Sequence, residues 1–429
     1  MPEPYWLGID FGTSGARAVA INAQQHIVAQ HQQSFTVQQP AIWQSALDGL
    51  ILALPSDIRQ GLQAIALNGT SSTVLLCDSE GAPLTEPLLY NDDRGRDQVA
   101  RLRAIAPPEH TVLSATSSLA KLFWWEQHWL PQATPTHPLY FLHQADWLAF
   151  LLHGTLGISD YHNALKLGYD VGELCYPDWF TALPLPFQVP EVVAPGTAIA
   201  PITPAVAARL GIPSTCQVCA GTTDSIAAFL ASGAHIPGDA VTSLGSTLVL
   251  KLLSTTRIDE SASGIYSHRL GDLWLVGGAS NTGGAVLRQF FSDVELQTYS
   301  QHINLDVPTS LTYYPLLKAG ERFPINDPDL PPQLEPRPTD PVQFLHGLLA
   351  GISRIEALGY ERLAALGATP TRRVYTAGGG AQNAVWVKMR SRQLGVPVLA
   401  STQREAAFGS ALLAMDTAPG PFAQESEQR

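Results

Sequence analysis

Charge is scarce in this chain. Only 14% of its 429 residues are Asp, Glu, Lys or Arg, against about 25% in an ordinary globular domain, and this excludes a self-repelling disordered polymer. Basic residues are the scarcer sign: 25 Lys and Arg face 37 Asp and Glu, a net charge of -12. With no basic cluster to reverse that balance, a nucleic-acid partner gripped through its phosphates is excluded, and a small-molecule partner is favoured. Cysteines number four. Cys216 and Cys219 have the CxxC spacing of metal and redox sites, but a metal site needs a second ligand pair. The run Cys216-Gln217-Val218-Cys219-Ala220 reads better as a buried strand. Cys77 and Cys175 stand alone in apolar surroundings, so all four are expected as small core residues. No apolar run reaches the roughly 18 residues that span a bilayer, and Met1-Pro2-Glu3-Pro4 lacks the basic start of a secretory signal. The expectation is a cytoplasmic protein, or a stromal one after loss of a transit peptide, with no membrane partner.

Hydrophobic residues make up 45% of the sequence, enough for extensive burial, and the length suits two domains of roughly 200 residues each. The division falls at 1–232 and 233–418, with a polar tail at 419–429. Trp6-Asp10, Ala16-Ile21 and His26-Ser34 read as three strands in an antiparallel meander. A helix is expected near Ala41-Leu54, strands at Gln63-Leu67 and Thr73-Cys77, and helices at Leu122-Trp129 and Gln144-Leu152. Helical periodicity returns over Pro341-Leu366, after a proline-rich connector that starts at Gly320 and ends near Pro338. The mixture indicates an α/β fold.

Chemistry concentrates in short glycine-bearing turns. Ile9-Asp10-Phe11-Gly12-Thr13-Ser14-Gly15-Ala16-Arg17 is a strand, a glycine turn and a second strand. Val241-Thr242-Ser243-Leu244-Gly245-Ser246-Thr247-Leu248-Val249 repeats that device. Glycines let the backbone approach phosphate oxygens closely, and consecutive turn amides with hydroxyls donate to them. Asp10, at a strand end, supplies a hard oxygen ligand suited to Mg2+. Arg373-Val374-Tyr375-Thr376-Ala377 reads as a strand that ends in Gly378-Gly379-Gly380 before the helical stretch Asn383-Gln393, an arrangement that places a ligand against helix amides. Asp224 follows a strand and opens the short helix that runs on to Ala231. Two roles are open to it: an N-cap worth about 1 kcal/mol, or a general base.

Taken in order, these segments resemble the FGGY family of carbohydrate kinases, within the sugar kinase, Hsp70 and actin superfamily. Asp10-Phe11-Gly12-Thr13-Ser14 is similar to the family's first phosphate motif and Ser243-Leu244-Gly245-Ser246-Thr247 to its second. Gly378-Gly379-Gly380-Ala381-Gln382-Asn383 is similar to the adenosine motif, and Gly221-Thr222-Thr223-Asp224 to the segment with the catalytic aspartate. Leu89-Tyr90-Asn91-Asp92-Asp93-Arg94, Ser159-Asp160-Tyr161-His162-Asn163-Ala164, Ala279-Ser280-Asn281-Thr282-Gly283-Gly284 and Gly320-Glu321-Arg322 have counterparts in pentulose kinases. The resemblance implies two ribonuclease H-like, actin-like ATPase domains with a deep cleft between them. Sugar would lie mainly against the first and ATP mainly against the second.

The same resemblance implies the roles. Asp224 would take the proton from the sugar's primary hydroxyl, and Asp10 would hold the Mg2+ that bridges the ATP phosphates. Gly12, Thr13, Ser14, Gly245, Ser246 and Thr247 would line the phosphates, with Gly284 near the ribose. Gly379, Gly380 and Asn383 would flank the adenine, with Trp386 against its face, and Arg17 stays open between ligand contact and an outward strand position. The sugar would meet Ser71, Ser72 and Asp92 beside Asp10 and Asp224. Xylulose kinases carry Gln-Met-His after the glycine that matches Gly69, where this chain has Thr70-Ser71-Ser72-Thr73, and the Arg-Glu pair of glycerol kinases is missing. Together with its short length, this makes the chain similar to compact cyanobacterial and plant kinases of D-ribulose. The expected reaction is ATP-dependent formation of D-ribulose 5-phosphate. D-xylulose or another pentulose or pentitol is the alternative substrate, and a nucleotide-dependent sugar sensor is the alternative class.

Overall fold

The computed structural model describes residues 3–108, 110–133 and 137–416; the expected tail at 419–429 lies outside them. The chain divides into two compact units, Met1–Ala231 with Glu405–Arg429, and Ser232–Arg404. The fold is mixed α/β, as the sequence implies.

The first unit is built on a six-stranded sheet in the spatial order Ala198–Pro201, Gln217–Thr223, Leu62–Gly69, Tyr5–Phe11, Gly15–Asn22 and Ile27–Ser34. Its last three strands form the expected antiparallel meander, and Tyr5–Phe11, Leu62–Gly69 and Gln217–Thr223 run parallel. Parallel strands covered on both faces must be apolar along their length, and Leu7, Ile9, Ile65, Leu67 and Val218 are fully buried. Helices Pro40–Leu52 and Gln144–His153 pack into the same core through Trp43, Leu47, Trp147 and Leu148. Cys216 and Cys219 are buried free thiols in and beside the Gln217–Thr223 strand, as expected of small core residues. Cys175 is exposed, contrary to that expectation. It sits in a turn closed by a bridge to Asp170, where the apolar neighbours in sequence do not enclose it.

Several helices have no counterpart in the sequence reading, among them Val99–Ile105, Pro204–Leu210, Asp293–Gln301 and Ala406–Met415. Ala406–Met415 lies against the first unit's sheet, so it completes that unit although sequence division assigned 233–418 to the second. The approach is backbone to backbone: a Cβ on Gly8 would fall 1.9 Å from the Ala407 carbonyl oxygen, and one on Gly409 1.9 Å from that of Ala227. Only glycine fits at either point.

The second unit repeats the plan, with strand order Tyr266–Leu270, Leu273–Ser280, Leu248–Ser254, Asp239–Leu244, Arg373–Gly378 and Val398–Ala400. Asp239–Leu244 is antiparallel to Leu248–Ser254 and parallel to Arg373–Gly378. The long helix Pro341–Ala365, started by Asp340 capping Val342, buries Leu345, Leu348, Ile352 and Ile355 in the core of this unit.

Candidate active site

In the first unit, sheet register decides which side chains meet. Asp10 pairs with Asn68 on one side and Arg17 on the other, while Gly69 is the register partner of both Phe11 and Thr223. Asp10 and Asp224 therefore stand at the same, carboxyl-terminal edge of parallel strands, where ligands of open α/β sheets bind. Asp224 is partly exposed as the first residue of the helix Asp224–Ala231, and its Oδ1 accepts from the Ser225 amide at 2.6 Å. Asp10 is pushed up to about 7, first by burial and then by the negative charge of Asp224, against the pull of Arg17. Arg17 itself is ion-paired with Glu405.

A carboxylate crowded in this way fits a cation, since a divalent ion would relieve both causes of the shift. Among the described residues no group of three His, Cys, Asp or Glu could enclose a metal. Asp10 would be a single protein ligand, with phosphate and water oxygens filling the shell, as Mg2+ commonly accepts.

The first glycine turn has its carbonyls engaged inward. Those of Gly12 and Thr13 accept from the Gln38 amide at 3.3 and 2.6 Å, and that of Ser14 accepts from the Phe35 amide at 3.2 Å. Gln38 is held in turn by Trp43 Nε1 at 2.8 Å. No acceptor within the described residues engages the amides of exposed Thr13 and Ser14.

The second unit builds its turn by the same rule. The carbonyls of Gly245, Ser246 and Thr247 accept from the amides of Gly284, Ala285 and Gly245 at 2.9, 3.2 and 3.2 Å, while the Ser246 and Thr247 amides find no acceptor within the described residues. This turn is thereby tied to the start of the short helix Gly284–Arg288. Leu244 and Gly378 are register partners, so the triple-glycine turn adjoins it. Gly378 holds φ +83° and Gly379 has open space where a Cβ would be. Two motif segments far apart in sequence also meet: buried Glu321 accepts from Ser280 Oγ at 2.5 Å and the Asn281 amide at 2.7 Å.

Other expected contacts are placed differently. Trp386 is 2% exposed, packed in the second unit's core with Nε1 donating to Ser353 Oγ at 3.0 Å, so the expectation of an adenine-stacking face is corrected. A Cβ on Gly380 would come within 2.9 Å of its ring. The Asn383 side chain is engaged as a helix cap, accepting from the Trp386 amide at 3.0 Å and donating to Ser300 Oγ at 2.7 Å. Asp92 is bound by the Arg94 guanidinium at 2.6 to 3.0 Å; burial raises its pKa, but those hydrogen bonds outweigh it and hold the carboxyl below its ordinary range. Ser71 is partly buried and Ser72 fully so, with the Ser72 hydroxyl enclosed and lacking a hydrogen-bond partner.

Two family models cover almost the whole chain: the N-terminal domain of the FGGY family of carbohydrate kinases matches residues 5–231 and the C-terminal domain matches 240–418. The chain belongs to that family. Among similar proteins, a xylulose kinase of Staphylococcus xylosus is 23% identical over 96% of this kinase and 90% of its own length. A gluconokinase of Bacillus licheniformis is 21% identical over 76% and 70% of the two chains. The crystal structure titled a xyloylose kinase from Brucella ovis superposes with a TM-score of 0.82 at 25% identity, covering 96% of this kinase and 90% of that chain. These relatives carry the names of xylulose kinases and a gluconokinase, which support a sugar kinase and leave the expected D-ribulose specificity without support.

Proposed function

We propose that this carbohydrate kinase transfers the γ-phosphoryl group of ATP to the terminal hydroxyl of a pentulose, with D-xylulose ahead of D-ribulose. The observation that carries the ATP half is the shared construction of the turns at Gly12–Ser14 and Gly245–Thr247, whose carbonyls are engaged internally while the amides of Thr13, Ser14, Ser246 and Thr247 are left to donate. Unengaged consecutive amides in glycine turns suit phosphate oxygens. The relatives' names support the pentulose half. The small hydroxyl loop Thr70-Ser71-Ser72-Thr73 keeps D-ribulose as the second substrate to test.

In this reading Asp224 accepts the proton of the attacking hydroxyl, and at the start of its helix the residue is partly exposed. Asp10 would hold Mg2+, which would supply neutralisation of the charge on the transferring group. Thr13, Ser14, Ser246 and Thr247 orient the phosphates, and Ser71 and Ser72 contact the sugar. The test is ADP release with MgATP against D-xylulose, D-ribulose, L-ribulose, ribitol, glycerol, D-gluconate and no sugar. Stimulation by one pentulose, abolished in Asp224→Ala, is expected. ADP release indifferent to every sugar would overturn the kinase reading in favour of a nucleotide-dependent sensor.

A further inference from the structure

Lys121 is fully buried in the helix Ser118–His128, and a buried ammonium is costly unless its donors are taken. Its Nζ donates to two backbone carbonyls, Ser72 at 2.7 Å and Leu89 at 2.6 Å. Those carbonyls belong to the two segments that hold Ser71, Ser72 and Asp92. The same segments are joined by Thr73 Oγ1, which lies 2.5 Å from Thr70 Oγ1 and accepts from the Tyr90 amide at 3.0 Å. Between these anchors Ser72 is held at φ +64°, a conformation that costs a non-glycine residue about 1 kcal/mol or more. Its hydroxyl is buried with no hydrogen-bond partner. A strained turn kept rigid from below, with one polar group left unsatisfied, has the form of a site prepared for a ligand.

We infer that Lys121 is a positioning residue for sugar recognition, fixing the Ser72 turn against the Leu89–Asp92 segment so that this turn, with partly exposed Ser71 beside it, keeps the shape the sugar meets. This rests on the sugar kinase reading above. An apolar side chain of the same length would fill the space without the desolvation that lowers Lys121 to about 7, a shift caused first by burial, with Lys166 and Arg94 adding to it and Asp92 opposing it. The amine is therefore explained by the two carbonyls it ties together rather than by packing.

The test compares wild type, Lys121→Met, Ser72→Ala and the double variant, each by the KM for the sugar that wild type turns over best, the KM for ATP, and thermal melting. Lys121→Met is expected to raise the sugar KM roughly tenfold or more and to leave the ATP KM within about twofold. The double variant should be no worse than the poorer single one, because both act through one turn. An unchanged sugar KM, equal losses for sugar and ATP, or effects that multiply would overturn the inference. If Lys121→Met does not fold, Lys121→Arg takes its place under the same readout, and failure of both to fold overturns the inference by making Lys121 a folding residue. Wild-type behaviour separates the two readings. No sugar-stimulated ADP release by wild type removes the kinase function and this role together; activity with an unaltered sugar KM in the variant removes the role alone.

Discussion

Asp224 adds its negative charge to the larger effect of burial on Asp10, and together they push the Asp10 carboxyl up to about 7. The consequence for stability has a definite sign. A carboxyl whose folded pKa lies above its unfolded value holds its proton longer when folded, so its contribution is fully present below the unfolded value near 3.8 and is lost as pH rises through about 7. Replacing it with a neutral isostere removes that loss. In buffer without divalent metal or nucleotide, Asp10→Asn should melt higher than wild type at pH 8, by the equivalent of roughly 1–3 kcal/mol. The two should converge toward pH 4. A difference in melting temperature that does not change across this range would contradict the charge crowding assigned to Asp10.

Asp224 carries the opposite expectation, an effect on rate with little on binding. Asp224→Asn keeps the shape of the helix start and can still accept the hydrogen bond now given by Ser225. Loss of a positioned general base lowers kcat by about 100-fold to 10,000-fold. The dissociation constant for ATP, measured by calorimetry, should stay within about threefold. A variant with wild-type kcat would return Asp224 to the role of a helix cap.

Gly12 and Gly245 separate ligand approach from folding. A Cβ at Gly12 would find nothing nearer than the Gly15 carbonyl oxygen at 3.6 Å, and one at Gly245 nothing nearer than the Thr247 carbonyl oxygen at 3.8 Å. Neither residue has the positive φ that would strain alanine. Gly12→Ala and Gly245→Ala should therefore leave stability within about 0.5 kcal/mol of wild type. If phosphate oxygens lie against these turns, the added methyl occupies their place, and the KM for ATP should rise about tenfold or more. Alanine variants with unaltered ATP kinetics would remove the turns from the phosphate site.

How much of this was legible beforehand follows from the range of the forces involved. The hairpin around Asp10 and the strand entering Gly378 are local, set by alternation and by glycine at the turn, and both lie where the sequence places them. Trp386 was misplaced because an aromatic residue on an amphipathic helix looks the same whether it faces a ligand or the core; its Ser353 partner lies 33 residues away. The helix Ala406–Met415 carries a strong apolar pattern, yet its place against the Gly8 strand depends on a contact across almost the whole chain. Lys121 gave no local signal, since one lysine in an apolar stretch becomes informative only when both of its carbonyl partners are known. The bond from Ser280 to Glu321 was hidden for the same reason: each segment was visible as a motif, their meeting was not.

The Gly409 contact gives the last prediction, and it concerns the assembly of the first unit. The helix Ala406–Met415 meets the helix Asp224–Ala231 and the strand Tyr5–Phe11 so closely that a methyl at Gly409 would overlap the Ala227 carbonyl oxygen at 1.9 Å, and one at Gly8 the Ala407 carbonyl oxygen at the same distance. Both obstacles are backbone, so no rotamer change relieves them, and the helix must shift outward. Overpacking of this kind commonly costs about 1–3 kcal/mol and sometimes more. The shift would also move Glu405 away from Arg17, the register partner of Asp10, and withdraw the packing against Ala227 in the first turn of the helix that starts at Asp224. Gly409→Ala should thus lower both the melting temperature and kcat. Gly395→Ala serves as the contrast: a Cβ there meets nothing within 4 Å, and φ +67° alone sets its cost. It should destabilise modestly, by about 1 kcal/mol, and leave kcat unchanged. Equal effects of the two substitutions on turnover would mean that the Ala406–Met415 helix does not hold the catalytic edge of the sheet in place.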